Sequence, residues 1–318
     1  MAKLKKFNNP YLPALIAIAA LLILGRIVSK GFLTSNNISS ILMTTSILAL
    51  ASIGQAAIVI SGDSGLDMSV GAVMSMTALF GPMVKLGGSG LSFLAMIIVS
   101  LLIGAIVGLL NGIGVQLLKV VPLVMTLIMS TVVNGFAIMV TKGQPSVSVS
   151  PALQGISKTL VGPFRILPVI VIVILLVLEF WFLRRSRYGR SLFLAGCNTR
   201  AANLCGINSK MVIILAYTFG GTIAGLAGLM LVGYAGTAQM NMASSYTMLT
   251  VAAVVIGGTK LSGGKGSFIG GALGSAVLIL ITTILQALNM AAGLRSLIQG
   301  VILIVILMLN SRAPKLRQ

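Results

Sequence analysis

The sequence predicts an all-α, polytopic membrane protein with about ten transmembrane helices. Of its 318 residues, 57% are hydrophobic and only 8% are charged, and the mean hydropathy is +1.11. A soluble domain carries about 25% charged residues, so this chain lacks the side chains to cover a surface in water. Within a bilayer a helix satisfies its own backbone hydrogen bonds, and long apolar runs are therefore interpreted as helices.

The apolar runs give the elements in order. A hydrocarbon core of about 30 Å needs roughly 20 helical residues, and the candidate spans are 11–29, 39–60, 66–84, 91–114, 121–140, 166–183, 211–232, 247–258, 267–288 and 294–310. The run at 247–258 is short and ends in glycine, which predicts a broken or half-buried segment covered by protein or by a cavity. The first run follows three lysines, as a signal peptide would, but it is too long and has no clean cleavage site.

Lysine and arginine set the predicted orientation, because cytoplasmic loops carry an excess of them. With the N-terminus inside, 15 of these residues fall in inside segments and 7 in outside segments, so both termini are predicted to be cytoplasmic. The largest inside loop is then 184–210. The net charge of +19 arises because acids are nearly absent, and the positive residues are scattered through short loops, so no nucleic-acid partner is expected.

The missing residue types exclude most enzyme chemistry. The chain has no histidine, and its only acids are Asp63, Asp67 and Glu179. A histidine-based triad or a carboxylate metal cluster cannot be built from this set, so we predict neither catalytic residues nor a metal site. Cys197 and Cys205 are too few for a disulfide framework and are interpreted as small packing residues.

Glycines recur at four-residue steps within several spans, and such small-residue faces let helices approach closely in lipid. The steps are Gly104, Gly108 and Gly112, then Gly221 and Gly225, then Gly266, Gly270 and Gly274. They predict tight packing inside the bundle, with a dimer interface or a sliding surface as the alternative. A weak internal repeat also relates 56–72 to 252–267, since each runs from an apolar stretch into a glycine-rich inside loop.

The loop 61–71, SGDSGLDMSVG, lies at the predicted cytoplasmic end of two spans. Asp63 or Ser64 can cap the following helix, with Asp67 in its first turn, where the helix dipole favours a negative charge. The alternatives are a gate, a contact with a partner subunit, or proton coupling by the acids. The candidates for a gate or partner contact in this loop and in 257–266 are Gly65, Asp67, Ser69, Gly71, Gly257, Gly258, Gly263 and Gly264.

The loop 184–210 is too long and too basic for a plain connector. Asn198 or Thr199 offers an N-cap for a short helix that Gly206 can close. Such a helix suggests docking into a groove of another protein, and an amphipathic stretch on anionic lipid is the alternative. The Gly-rich loop 257–266, GGTKLSGGKG, does not have the Walker spacing, because Gly266 follows Lys265. If transport consumes ATP, another subunit must therefore bind it.

Neutral amides within membrane spans need hydrogen-bond partners, which lipid tails cannot supply. They therefore face either the bundle interior or a water-filled path. These candidates are Gln55, Asn111, Asn134, Gln286 and Asn289. Interior hydrogen bonding is one interpretation, and a substrate pathway for a neutral, hydroxyl-rich solute is the other. Glu179, near the inside end of its span, is interpreted as structural and can pair with Arg184 or Arg185.

Three ordered segments resemble the permease subunits of bacterial ABC importers for monosaccharides, in the ribose-type branch. SGDSGLDMSVGAV at 61–73 resembles the family's G-[IL]-D-L-S-V-G box, and YGRSLFLAGCNTRAANLCGIN at 188–208 resembles its cytoplasmic G-x-N-x-x-A-A-x-x-x-G-I loop. LTVAAVVIGGTKLSGGKGS at 249–267 resembles a third glycine-rich box. The spacing of the spans matches over nearly the whole chain. One departure is the stretch Tyr246 to Leu249, which lacks the acids that the family often carries there.

This resemblance implies a single transmembrane permease domain over 1–318, of the type II ABC importer kind, in the bacterial plasma (inner) membrane. It implies a second permease protomer in a homodimer or heterodimer, an ABC ATPase subunit that binds ATP and Mg²⁺, and an extracytoplasmic sugar-binding protein. No cofactor is expected on this chain. The loop 184–210 would hold the helix that couples to the ATPase, and its coupling residues would be Gly196, Asn198, Ala201, Ala202, Gly206 and Ile207.

We therefore expect a non-enzymatic permease subunit that moves a neutral sugar or polyol inward. An ion-coupled secondary transporter of a small polar solute is the alternative, and it requires titratable or cation-coordinating groups near the membrane midplane.

Overall fold

The computed structural model describes residues 11–62, 65–84, 89–144, 147–161 and 164–310. The proposed caps Asp63 and Ser64 lie outside the described residues, as do seven of the charges used for orientation: Lys3, Lys5, Lys6, Lys85, Arg312, Lys315 and Arg317. The described chain is almost entirely helical, and each predicted span contains a helix.

The helices are α1 (Leu12–Val28), α2 (Ser35–Ile60), α3 (Val70–Phe80), α4 (Ser89–Gln116), α5 (Pro122–Thr141), α6 (Pro151–Lys158), α7 (Ile166–Val177), α8 (Arg187–Cys197), α9 (Thr199–Leu204), α10 (Ser209–Ala235), α11 (Tyr246–Ile256), α12 (Phe268–Ala287) and α13 (Ala292–Asn310). A 3₁₀ turn (Gly81–Met83) extends α3, and a π-helix (Leu178–Arg185) extends α7. Two small antiparallel ladders join β1 (Val147–Ser148) to β4 (Thr237–Ala238) and β2 (Leu160–Val161) to β3 (Phe164–Arg165). Within the described ranges, six helices are long and apolar enough to cross a membrane.

Helix α2 forms the centre of the bundle. It is buried over most of its length and contacts α3, α7, α10, α11 and α12. Its side chains from Met43 to Ile60 supply much of the main apolar core. Helix α5 lies at the periphery, where most of its side chains are exposed at the surface of this chain.

Glycines allow the helix backbones to touch. A Cβ atom built on Gly104 would overlap the carbonyl oxygen of Gly221, and one on Gly225 would overlap that of Ser100, so α4 and α10 pack backbone to backbone. Gly270 of α12 meets Gly257 at the end of α11 in the same way. These contacts lie within one chain and confirm the predicted tight packing of the small-residue faces.

The connections segregate to two opposite ends of the bundle. At one end, Gly62, Gly196 and Gly263 are in contact, and the Tyr11 hydroxyl donates to Ser267 Oγ at 3.0 Å. The other end holds the β1–β4 ladder and the segment before α7, where Arg165 Nε donates to Ser39 Oγ at 2.8 Å. Among the described residues, the segments predicted to be inside therefore lie together, as do those predicted to be outside.

Two of the spans are short helices. The prediction of a broken segment at 247–258 is confirmed, because α11 has only 11 residues. The prediction of a full helical span at 66–84 is wrong, because residues 65–69 are not helical and α3 begins only at Val70. At a rise of 1.5 Å per residue, an 11-residue helix covers about 16 Å, roughly half of a hydrocarbon core.

Candidate functional site: the glycine junction and the polar cluster

Three loops that are far apart in the sequence meet at the predicted cytoplasmic end. Gly62 follows α2, Gly196 lies at the end of α8, and Gly263 and Gly264 lie between α11 and α12. We call these four residues the glycine junction. The Gly264 N–H donates to the Ile60 carbonyl at 3.0 Å. A Cβ on Gly263 would come within 2.5 Å of Gly62 Cα, and one on Gly196 would overlap the Ile60 carbonyl oxygen.

The backbone at this junction requires glycine. Gly62, Gly263 and Gly264 have φ values of +86°, +83° and +70°, in the left-handed region that other residues rarely adopt. Close approach and positive φ therefore coincide, and no side chain separates the three loops. The two halves of the suggested repeat, 56–72 and 252–267, contact each other here.

The loop 184–210 contains two helices, α8 and α9, and the C-terminal end of α8 lies at this junction. Ser186 caps α8, and Asn198 caps α9 by accepting from the Ala201 N–H at 3.0 Å, as predicted. The α9 helix closes at Gly206, which has a φ of +80°, and the Ile207 N–H donates back to Ala202 at 3.0 Å. Ala202 is buried, whereas Leu204 is 89% exposed. The fold thus presents a short, well-capped helix with an apolar tip at the surface.

The α8 helix is held against the bundle by polar and aromatic contacts. The Tyr188 hydroxyl donates to the Val212 carbonyl at 3.0 Å, and burial raises the pKa of Tyr188, so the hydroxyl stays protonated. The Tyr188 ring packs on Phe182, which stacks on Phe219 with a centroid separation of 4.7 Å. A displacement of α8 would therefore also displace the side chains of α10 that these contacts reach.

Glu179 joins the π-helix to the start of α12. Its side chain is 1% exposed, and one oxygen forms an ion pair with Arg184 at 2.8 Å, which confirms one of the two predicted partners. The other oxygen accepts from the Phe268 N–H at 2.7 Å. This N–H is at the first residue of α12, where the helix dipole favours a negative charge. The carboxylate therefore anchors α12 beside the glycine junction.

Asp67 lies at the centre of a second assembly, the polar cluster, which we define as Gln55, Asp67, Ser69 and Asn111. Asp67 Oδ1 accepts from the Ser69 N–H at 2.7 Å and from the Ser69 hydroxyl at 2.6 Å, and Asn111 Nδ2 donates to Ser69 Oγ at 2.9 Å. All four side chains are buried. The prediction that Asp67 lies in the first turn of the next helix is wrong, because Asp67 precedes the N-cap Ser69 by two residues.

The non-helical segment 65–69 is held by side chains from three helices. With its amide oriented to satisfy both atoms, Gln55 of α2 pairs with the backbone N–H and carbonyl of Asp67, each at 3.2 Å. Asn111 reaches it from α4, and Thr126 of α5 accepts from the Met68 N–H at 3.0 Å. Non-helical backbone at membrane depth needs such internal partners. Two of the predicted pathway amides thus serve this segment.

The other predicted residues lie elsewhere. Asn134 is half-buried on α5, and Gln286 and Asn289 are exposed at the α12–α13 end. Gly65 lies in the non-helical segment 65–69 and Gly71 lies in α3, while Gly257 and Gly258 follow the end of α11. In the loop after α11, the Lys260 N–H donates to Lys265, the Gly263 N–H to Lys260 and the Gly264 N–H to Ile60, so these three donors are already used within the protein.

Sequence reasoning missed three hydroxyl side chains that link distant elements. Thr126 supports Met68, Ser75 accepts from the Ala243 N–H at 3.0 Å, and Thr247 accepts from the Gly71 N–H at 3.1 Å. Thr247 falls in the stretch where the acids of the resembled family are missing, which is the one sequence signal that pointed to it.

The chain matches a protein-family model described as "Branched-chain amino acid transport system / permease component" over residues 37–307. It is 28% identical over 308 residues to the ribose import permease protein of Escherichia coli K12, covering 94% of this chain and 93% of that protein. It is 29% identical over 306 residues to the autoinducer 2 import system permease protein of Yersinia pestis Pestoides F, covering 96% and 86%. No solved structure matches.

Proposed function

The chain belongs to this family of transport-system permease components, and on that premise we propose that it passes a neutral sugar or polyol into the cytoplasm as the transmembrane subunit of an ABC importer. It is a multi-pass protein of the bacterial inner membrane and a permease subunit rather than an enzyme. In the proposal, ATP and Mg²⁺ are bound by a separate ATPase subunit. A second permease protomer and an extracytoplasmic sugar-binding protein complete the complex.

The observation that carries the proposal is the connection from α9 to the glycine junction. A capped helix with an 89% exposed leucine at its tip is suited to a groove on a partner. From α9 the chain leads through Asn198 and Cys197 to Gly196, which touches Ile60 and Gly264. In this proposal, force applied to α9 moves the loops after α2 and α11 together, and these loops serve as the cytoplasmic gate.

The sugar assignment rests on the two relatives and on the uncharged interior. The relatives are named for the import of ribose and of autoinducer 2. Among the described residues, the buried charged side chains are Asp67 and Glu179. A neutral, hydroxylated solute needs hydrogen-bonding groups rather than a counter-charge, which this interior can supply.

Asp67 supports one competing function, ion-coupled secondary transport. It is an acid 1% exposed at a helix break, and its Oδ2 has no hydrogen-bond partner among the described residues. In many secondary transporters the coupling ion binds where a transmembrane helix is interrupted, and acids within the membrane form proton relays. This candidate predicts uptake that follows the proton or sodium gradient and continues without an ATPase.

The test is reconstitution of this chain with the co-purified ATPase and binding protein, using a panel of labelled pentoses, hexoses and polyols. The proposal predicts ATP-dependent uptake in which Asn198→Ala and Ile207→Ala lower the solute moved per ATP. Asn208→Ala is the matched control, because Asn208 caps α10 in the same way, through the Met211 N–H at 3.1 Å. Each cap loss costs about 1 kcal/mol of stability, so only the Asn198 change is expected to uncouple. Gradient-driven uptake without ATP would overturn the proposal.

A further inference from the structure

The turn between α10 and α11, residues 239–245, runs back into the bundle along α3. Its start is near the outer end of α3, since Ala238 shares an apolar cluster with Ala78 and Leu79. Its end is near the inner end of α3, since Ala243 donates to Ser75 and Thr247 accepts from Gly71. From Leu79 to Gly71 a helix rises about 12 Å. The turn therefore descends by about this distance.

The lower end of this turn lies near mid-depth. Helix α10 crosses the bundle in 27 residues, so the position of a contact along α10 gives its depth. Gly54 lies against Gly220, 11 residues from the inner end of α10, and Gly228 lies against Met74. Gly71, three residues before Met74, falls between these levels. The first turn of α11 and the residues before it are thus in the middle third of the longest helices.

This turn, which descends to mid-depth, is polar and uncovered in the single chain. Gln239, Asn241, Ser244 and Ser245 are all exposed, and Met248 beside them is 49% exposed. Irregular backbone within the hydrocarbon region is tolerated only where protein or a water-filled cavity covers it. Lipid therefore does not cover this surface.

A cavity of about 220 Å³ adjoins the turn, between α11, α12 and α13. Ser245 lies at its edge, and Gln299 and Thr282 place an amide and a hydroxyl in its wall, joined by a hydrogen bond of 2.9 Å. The residues that line it are all uncharged. The wall thus combines apolar area with neutral polar groups at membrane depth.

We propose that the turn 239–245, the start of α11 and this cavity form one wall of a water-filled path, where Ser244, Ser245 and Gln299 contact a neutral, hydroxyl-rich solute. The inference rests on the proposed transport function and assigns its solute-facing surface. A sealed contact with a second permease chain would have to provide a partner for every buried amide and hydroxyl of the turn. Water and a hydroxylated solute satisfy these groups without such a matched surface. The uncharged lining disfavours an ionic solute, which would lack a counter-charge.

The test is thiol accessibility from outside intact cells that express the whole complex. Ser244→Cys and Ser245→Cys are treated with a charged, membrane-impermeant methanethiosulfonate, and the parent chain serves as the blank because Cys197 and Cys205 lie at the opposite end. Val132→Cys, on the exposed apolar face of α5, is the matched control. We expect Ser245→Cys to react at least about tenfold faster than Val132→Cys, since the thiolate forms readily only in contact with water. Modification should also block uptake.

The outcomes separate this inference from the proposed function. ATP-dependent uptake with no labelling at residues 244 and 245 would overturn the water-filled path but would still support the proposed importer. Labelling in cells that show no ATP-dependent uptake would support a water-exposed wall and contradict the proposed importer. Labelling that blocks uptake supports both. Cross-linking of Ser245→Cys between two permease chains, without labelling, would show a sealed protomer contact instead.

Discussion

The glycine junction and the polar cluster both lie where non-helical backbone packs beside helices, but they are stabilised in opposite ways. At the junction, three loops touch mainly through backbone atoms, with Cys197 Sγ against Gly264, and a Cβ added at any of the four glycines would collide. At the cluster, the break between α2 and α3 is surrounded by side chains that hydrogen-bond to it from α2, α4 and α5. The junction is therefore sensitive to added volume, and the cluster to lost hydrogen bonds. A rigid backbone contact transmits displacement, whereas a bonded cluster fixes a position.

The largest effect is expected from Gly196→Ala. The new methyl group would overlap the Ile60 carbonyl and come within 2.6 Å of the Gly264 nitrogen, and both neighbours are backbone. Overpacking typically costs about 1–3 kcal/mol, and we expect the upper end or more here because neither neighbour is a flexible side chain. Folded protein recovered after heating in detergent should fall sharply. Gly135→Ala, where a Cβ meets nothing within 4 Å, should be neutral or stabilising. Equal behaviour of the two variants would disprove the close contact.

Glu179→Ala should be the next most damaging change. It leaves the Phe268 N–H without its acceptor and Arg184 without its partner, and loss of hydrogen bonds to a charged group costs about 1.5–3 kcal/mol each. Arg184→Ala should cost less, because that side chain is 51% exposed and water can replace it. Thermal stability of the two variants and of the double variant, compared as a cycle, measures this order. A larger loss for Arg184→Ala would contradict the anchoring of α12.

Asp67→Asn is expected to have a smaller effect, because an asparagine oxygen can still accept from the Ser69 N–H and hydroxyl. The new amide nitrogen replaces Oδ2, which has no hydrogen-bond partner among the described residues, so the loss should be about 1 kcal/mol. Asp67→Ala, which removes the acceptor, should cost more. The comparison is made on ATP-dependent uptake and on stability together. Intact folding with abolished uptake in Asp67→Asn would show that the charge itself is needed and would favour ion coupling.

The smallest stability effect is expected from Thr247→Val, which keeps the shape but removes the acceptor for the Gly71 N–H. One neutral hydrogen bond contributes about 1 kcal/mol. Thr250→Val is a suitable control, because the Thr250 hydroxyl donates only to the carbonyl of Thr247 within its own helix. Both variants can be compared by melting temperature in detergent. No difference between them would show that the α3–α11 contact is not maintained by this bond.

Local signals in the sequence predicted well where the cause is local. The cap by Asn198 and the close of α9 at Gly206 follow from residues within ten positions, and the apolar runs locate the helices. The misplacement of Asp67 has a different origin. Its partners Gln55 and Asn111 come from other helices, so local capping preferences could not reveal them. Leu66 and Met68 extend the apolar run of α3 toward the N-terminus, which concealed the late start of this helix. Thr247 bonds a residue 176 positions away.

In the proposed importer, a separate ATPase drives this chain through α9. A photo-cross-linking residue at position 204, which is 89% exposed, tests it directly in native membranes. The same residue at position 139 on the apolar face of α5, 67% exposed, is the control. We expect position 204 to cross-link to an ATPase subunit and position 139 not to do so. Cross-linking at position 204 only to lipid, in membranes where uptake is active, would contradict it.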